Sequence, residues 1–443
     1  MFKLSVLGER IKMRRKIMMY MLIGLIVFFT VFYLMITEKI PGPWATMIGG
    51  LIMALIGIIN EEDALTAISE RLEILFLLIG MMIIVLLVSE TGVFQWFAIK
   101  VAQLVRGEPF RLIVLLAIVT ALCSAFLDNV TTILLMAPVS ILLAKQLKLD
   151  PFPFIITEVM SANIGGLATL IGDPTQLIIG AEGNLGFNEF LFNTAPVAVL
   201  SMVLLIVNVY FIYGRHMVVS NELKARIMEL DSSRSLKDPK LLKQAAVIFS
   251  LVLIGFVLNN FINKGLAIIS LSGAIFLVVI AKRKPKEIFE NVEWETLFFF
   301  IGLFMMIKGI ENLNIINIIG DKLIKITSGK FDLAVIAVTW LSAGFTSIIG
   351  NVANAATVSK ILGVMVPTFD KIGDPKAFWW ALSFGSCLGG NITMLGSATN
   401  VVAVGAAAKA GCKIDFLKFF KFGGLIAFQT LLLATVYLYV RYM

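Results

Sequence analysis

Two aspartates stand inside apolar runs. Asp128 lies in Ser124-Ala-Phe-Leu-Asp-Asn-Val-Thr-Thr132, and Asp173 in Gly172-Asp-Pro-Thr-Gln176. An ionisable side chain at membrane depth marks an ion pathway by default. Such a carboxylate can take a proton or a metal cation, so one group can exchange the two. A plainer role is open to both: Asp173 beside a proline and Asp128 at a hairpin tip each suit a helix N-cap. Around them stand Asn129, Thr131, Asn163, Thr169, Asn351, Asn354, Ser397, Thr399 and Asn400. Their side-chain oxygens can coordinate an ion, or they can simply bridge helices by hydrogen bonds. We take these eleven residues as the candidate ion- or substrate-binding set. Asp128 and Asp173 are the candidates for a transported cation, and no structural metal site is expected.

The set falls in four interruptions of otherwise apolar sequence: 124–132, 161–176, 350–354 and 389–400. Proline in Gly172-Asp-Pro174 removes a backbone donor and clashes with the preceding turn, and the residue before it avoids the helical region. In hydrocarbon a broken helix strands N–H and C=O groups at several kcal/mol each, about the cost of any unpaired peptide group in oil. Breaks survive only where protein or a water-filled cavity satisfies them. Four breaks therefore predict a polar cavity at membrane depth. Half-helix N-termini facing it attract anions, and freed carbonyls attract cations.

The elements that must carry these residues are membrane helices. The 443 residues are 59% hydrophobic and 15% charged, against about 25% charged in soluble domains. Apolar runs at 17–36, 43–60, 74–89, 195–213, 244–260, 265–281, 296–311 and 421–440 approach the length needed to span hydrocarbon. Regions 151–182 and 376–408 are long enough but broken; 110–144 and 331–369 are interrupted near their middles. Segments 93–106 and 312–328 read as short amphipathic helices at the interface. The first run follows Lys12, Arg14, Arg15 and Lys16 and ends at Thr37-Glu38-Lys39 without a small-residue cleavage site, so it reads as a retained span. The fold class expected is an all-α polytopic membrane protein at the cell membrane.

A basic stretch, 214–243, divides the chain into a first transmembrane repeat (1–213) and a second (244–443). Its Lys/Arg content predicts a cytoplasmic linker. Glu73 and Glu295 each precede an apolar run ending in Gly80 and Gly302, and the two runs stand 222 residues apart. Leu127-Asp-Asn-Val130 and Ile349-Gly-Asn-Val352 repeat at the same offset; Gly165-Gly166 and Gly389-Gly390 repeat at 224. Each half holds five crossings and one re-entrant hairpin, and an odd number makes the repeats inverted. With the linker cytoplasmic, ten spans put the basic N-terminus outside, while an eleventh would put it inside, so the expectation stands at 10 or 11.

Other conspicuous residues have plain readings. Glu73 and Glu295 complement helix starts. Glu158 and Glu311 pair or snorkel. Met81-Met82 and Met305-Met306 pack, and Cys123 and Cys387 act as small hydrophobes. Cys123, Cys387 and Cys412 have no disulfide or zinc spacing, and His216 is a loop residue.

Asn163-Ile-Gly-Gly-Leu-Ala-Thr-Leu-Ile-Gly-Asp-Pro174 and Ser124-Ala-Phe-Leu-Asp-Asn-Val130 resemble the signature segments of the ion transporter superfamily. The branch they resemble holds arsenite pumps, the pink-eyed dilution protein and sodium/proton antiporters. Leu388 to Asn400 resembles the second-half counterpart, and the likeness runs from about residue 40 to the C-terminus. The resemblance implies two inverted repeats, each with a re-entrant hairpin and a discontinuous helix meeting at a central site. It places the tips at Asp128–Thr131 and Asn351–Asn354, the unwound segments at Thr169–Gln176 and Thr393–Asn400, and an elevator-like shift against scaffold helices. Two departures stand out: Pro174-Thr175-Gln176 where the family has Pro-Pro-Asn, and Gly350-Asn351 where Asp-Asn is common. The missing acid removes one negative charge and weighs against a divalent cation.

The expected function is ion-coupled secondary transport, as cation/proton antiport or arsenite-type efflux, with Na⁺ or H⁺ as coupling ion and no other cofactor. A dicarboxylate or anion symporter of the same superfamily is the alternative; no basic cluster in the interruptions favours a polyanion. A channel lined by the broken helices is another class. Enzyme motifs such as HExxH, GxSxG or a Gly-rich phosphate loop are absent from the sequence. Partners expected are a small inorganic ion or small anion, the bilayer, a second copy in a homodimer and, for an arsenite pump, a separate ATPase subunit. Nucleic acid is excluded, because the net charge of +8 sits in loops between apolar runs.

Overall fold

The structure is a computed structural model that describes residues 2–37, 39–229, 231–262 and 264–443, with 2–15, 17, 36, 226 and 260 described by backbone alone. Glu38 and the side chains of Lys12, Arg14 and Arg15, part of the basic flank read from the sequence, lie outside the described residues. Every regular element among the described residues is helical. Among the described residues eight helices are long and apolar enough to cross a membrane, and shorter apolar helices include Gly42–Leu55 and Leu266–Ile280. Apolar residues cover the outside as well as the core: Phe29 is 62% exposed and Val279 67%. Water would make that surface costly; lipid does not.

The expected spans fall on helices Phe2–Ile36, Gly42–Leu55, Leu72–Glu90, Ala195–Ile212, Pro239–Val257, Leu266–Ile280, Trp294–Asn312 and Phe416–Tyr442. The two amphipathic segments form helices Val93–Leu104 and Ile315–Ile326. The second is bent by 70° from the helix before it, as an interfacial helix leaving a span would be. A short helix, Glu61–Ser69, escaped the sequence reading; Asn60 and Asp63 close its start as a reciprocal capping box.

The interrupted regions become two hairpins and two broken helices. The first hairpin pairs Pro109–Ser124 with Asn129–Gln146, and the second pairs Phe331–Ile349 with Asn351–Phe369. The first broken helix is Phe152–Leu167 and Pro174–Gly183; the second is Lys376–Gly389 and Ala398–Lys409. The helices resume earlier than the resemblance implied, at Pro174 and Ala398, so Thr175, Gln176, Thr399 and Asn400 are helical. Proline at the first helical position explains the early restart: its missing N–H has no partner to lose there and its φ is preset. The second hairpin turns on Gly350 alone, at φ +87°, where a side chain would strain the backbone.

Contacts in one half recur in the other at the sequence offset. A Cβ on Gly165 would lie 2.2 Å from the Ala121 carbonyl oxygen, and one on Gly389 2.5 Å from Ala343 Cα. Gly80 abuts Ser270 while Gly302 abuts Thr46 and Met47, so each half lends a helix to the other. The Thr169 hydroxyl donates to the Ala125 carbonyl, and the Thr393 hydroxyl donates to that of Ser347. Direction follows from the ends. Asp150, before the first broken helix, pairs with Lys418 at 3.3 Å, and Lys145 donates to the carbonyl of Ala410 beyond the second. At the far end Glu189, beyond the first broken helix, pairs with Lys376, which begins the second. One helix starts where the other finishes, so the two broken helices run antiparallel.

Candidate functional site

Both breaks are built the same way. Asp173 and Ser397 hold extended backbone, with φ/ψ of −145°/134° and −150°/144°, immediately before their half-helices. Glycines allow the close crossing: a Cβ on Gly172 would sit 2.6 Å from the Ser124 carbonyl oxygen, and one on Gly396 2.5 Å from that of Gly390. The hairpin tips deliver Asn129 and Asn351 as the first residues of their returning helices.

These pieces converge on one carboxylate. Asn129 Nδ2 donates to Asp173 Oδ2 at 2.7 Å, and Asn351 Nδ2 donates to the same oxygen at 2.9 Å. The other oxygen accepts from the Thr175 amide at 2.8 Å, so Asp173 is a helix cap and the meeting point of both tips at once. Asn163 Nδ2 donates to Asn391 Oδ1 at 2.8 Å and to Asn400 Oδ1 at 2.9 Å, while Ser397 Oγ donates to Asn163 Oδ1 at 3.2 Å. Asn129 approaches Asn163 at 3.5 Å and links the two groups. Asn400 Nδ2 donates to the carbonyls of Gly390 and Thr393 that the break leaves free. All of these side chains are buried, and no Lys, Arg or His bonds any of them among the described residues. A carboxylate bonded only by amides, buried inside a membrane protein, is a place for a cation or a proton.

Of the eleven residues named from sequence, Asn129, Asn163, Asp173, Asn351, Ser397 and Asn400 form this network. Asp128 lies outside it. It caps the returning hairpin helix through the Thr131 amide at 2.9 Å, and Thr131 Oγ1 lies 3.0 Å from Glu293 Oε1. These three line a cavity of about 100 Å³ with Met81, Met82 and Pro174, between the first hairpin tip and helix Leu72–Glu90. Thr169 ties its break to the hairpin. Asn354 donates to Ser386 Oγ at 2.9 Å, and its buried oxygen, like the Thr399 hydroxyl, has no partner among the described residues. Sequence reading missed Asn391, which stood in the fourth interruption, and Glu293, which has no repeat or motif to mark it. Cys387 is more than a small hydrophobe: Gln176 Nε2 donates to its sulfur at 3.0 Å.

Two hairpins and two antiparallel broken helices around a buried polar centre, among long apolar helices, give the arrangement of a membrane transporter. Comparison with known proteins makes it particular. The citrate transporter family, CitMHS, matches residues 32–385, and the chain belongs to that family, within the ion transporter superfamily. A 46 kDa membrane protein of Mycobacterium leprae is 34% identical over 423 residues, covering 95% of this chain and 99% of that protein. An uncharacterized transporter of Mycobacterium tuberculosis is 32% identical over 95% of this chain and 98% of its own length. The human P protein is 32% identical over 89% of this chain, which spans 56% of that protein. The YdaH transporter of Alcanivorax borkumensis, whose crystal structure has been described as having an unusual topology, shares the fold at a TM-score of 0.60 and 15% identity, over 88% of this chain and 87% of that one. The chain is a multi-pass membrane transporter.

Proposed function

We propose that this protein is an ion-coupled secondary transporter that holds a monovalent cation or a proton at Asp173, between the two hairpin tips. The observation that carries the reading is the shared oxygen: Asn129 and Asn351, from opposite halves, both bond Asp173 Oδ2. A group clasped from both sides is one that a relative movement of the halves can expose to either face. Cation/proton antiport follows from one exchangeable carboxylate. The hairpins and broken helices would move against the scaffold helices in an elevator-like shift, with 214–243 on the cytoplasmic side and five crossings in each half.

A second reading has its own support. The half-helix from Ala398 starts without a side-chain cap, whereas its counterpart is capped by Asp173. An uncapped N-terminus with the free Thr399 hydroxyl suits a carboxylate, and the family takes its name from citrate. Cation-driven anion symport would use both half-helices. Proteoliposome uptake of Na⁺, Li⁺, arsenite, citrate and dicarboxylates under imposed pH gradients separates the two. Cation uptake alone selects antiport, and citrate uptake that requires a cation selects symport. Passive, non-saturating flux of every probe sinks both in favour of a channel. Sidedness is tested by labelling Arg234→Cys, whose parent side chain is exposed; labelling only from outside the cell overturns the cytoplasmic linker.

A further inference from the structure

Glu158 takes no part in the Asp173 network. It lies midway along Phe152–Leu167, 1% exposed, and packs inside the hairpin and broken-helix unit. One carboxyl oxygen accepts from the Ser140 hydroxyl of the first hairpin; the other, also buried, has no partner among the described residues. The helices packed against it carry charges only where they are exposed: Arg111, Lys145, Lys376, Lys409, Lys418, Lys421 and Arg441. Lys145, Lys376 and Lys418 are engaged with Ala410, Glu189 and Asp150. The uncharged titratable groups on those helices are Cys123, Cys387, Tyr210, Tyr437, Tyr439 and Tyr442; Cys387 is held by Gln176, Tyr437 by Arg441, Tyr442 by Asn193 and Tyr210 against Phe110.

The second half supplies an internal control. At the repeat offsets, Glu158 corresponds to Leu382 and Ser140 to Leu362, both fully buried. Equivalent packing is thus achieved with two leucines, so the fold does not require a carboxyl here. Pro138, two residues before Ser140, interrupts the hydrogen bonding of its helix and gives that arm a place to bend.

We propose that Glu158 is a proton-binding residue of the transport cycle, distinct from the cation site at Asp173. The inference rests on the reading of the chain as an ion-coupled transporter. Protonated, the carboxyl donates or accepts across to Ser140 and stays dry. When the hairpin arm flexes at Pro138, water reaches it and the proton leaves. Glu158 then adds a proton site to the unit that carries Asp173, and the unit carries the cation in one half of the cycle and the proton in the other.

The test compares the wild type with Glu158→Gln, which mimics the protonated carboxyl, in proteoliposomes with radiolabelled Na⁺. Uptake driven by a pH gradient should fall by about tenfold or more, the scale of a coupling free energy. Na⁺-for-Na⁺ exchange without a gradient should persist and lose its dependence on pH. Wild-type pH-driven uptake in the variant overturns the proposal. If Glu158→Gln does not fold, Ser140→Leu/Glu158→Leu, which copies the second half, replaces it: folded and uncoupled supports the proposal, folded and coupled overturns it. If the wild type moves no Na⁺, the cation reading fails by itself, and infrared pH titration decides Glu158. A protonated-carboxyl band that titrates in the wild type and is lost in the variant supports proton binding; identical spectra overturn it.

Discussion

Asp128, Glu158 and Asp173 in the first half stand opposite Gly350, Leu382 and Ser397 in the second, each pair at an offset of 222 or 224 residues. Backbone contacts at these places are shared. The Gly165 and Gly389 contacts, the two threonine ties and the two crossings at Gly172 and Gly396 are all present twice. Charge is not shared: all three acids lie on one side of the repeat. The repeated contacts bring the two hairpins to one point, whereas the three acids stand in the first half alone.

The shared contacts can be broken symmetrically. Gly165→Ala and Gly389→Ala each drive a Cβ into helix backbone, and each should cost about 1–3 kcal/mol, the range for overpacking. Thermal unfolding in detergent checks both; a large loss in one half and none in the other breaks the equivalence.

A smaller effect is expected at Asp128. Its cap on Thr131 should be worth about 0.5–2 kcal/mol, lost in Asp128→Ala and largely kept in Asp128→Asn, since asparagine caps as well. Transport separates cap from charge. If Asp128, facing Glu293 across Thr131, governs ion entry, Asp128→Asn should fold normally and transport poorly. Wild-type transport with unchanged pH dependence would leave it a cap alone.

Much of this was legible in the sequence, for physical reasons. Glycine and proline fix where a helix can break, so the interruptions at 161–176 and 389–400 named the broken helices, and the offset of 222 paired the hairpins. Boundaries were less legible: Pro174 ends one helix and begins the next, and only the second role survives packing. The order of the two aspartates was not legible either. Asp128 sits deeper in its apolar run, yet Asp173 is where both tips arrive, because that depends on contacts 44 and 178 residues away in sequence. Asn391 is marked only by the fold for the same reason; its partner Asn163 lies 228 residues off.

The smallest expected effect concerns the rim. Glu189 is partly buried, which raises its proton affinity, but the Lys376 ammonium and the Gly186 amide outweigh this and hold its carboxyl below the ordinary value. Lys376 is raised in turn by that bond. Because the folded-state value of Glu189 is depressed, its contribution is present above the unfolded value and fades as pH falls through the folded one. Lys376→Ala should therefore flatten the acid limb of the stability curve slightly. An unchanged acid limb would mean that this exposed pair contributes nothing measurable, as many surface pairs do not.

If Asp173 holds the ion, the ion should stabilise the protein through that carboxylate. A ligand that binds only the folded state raises its stability, by about 2.7 kcal/mol at one hundred times its dissociation constant. Thermal unfolding of purified protein with Na⁺ or Li⁺, against a large organic cation at equal ionic strength, measures that gain. The wild type should show a concentration-dependent rise in Tm and Asp173→Asn none, each read against its own Tm without small cation, because the amide also loses an acceptor for Asn129 and Asn351 or for the Thr175 amide. An equal cation-dependent rise in Asp173→Asn would contradict this role for Asp173.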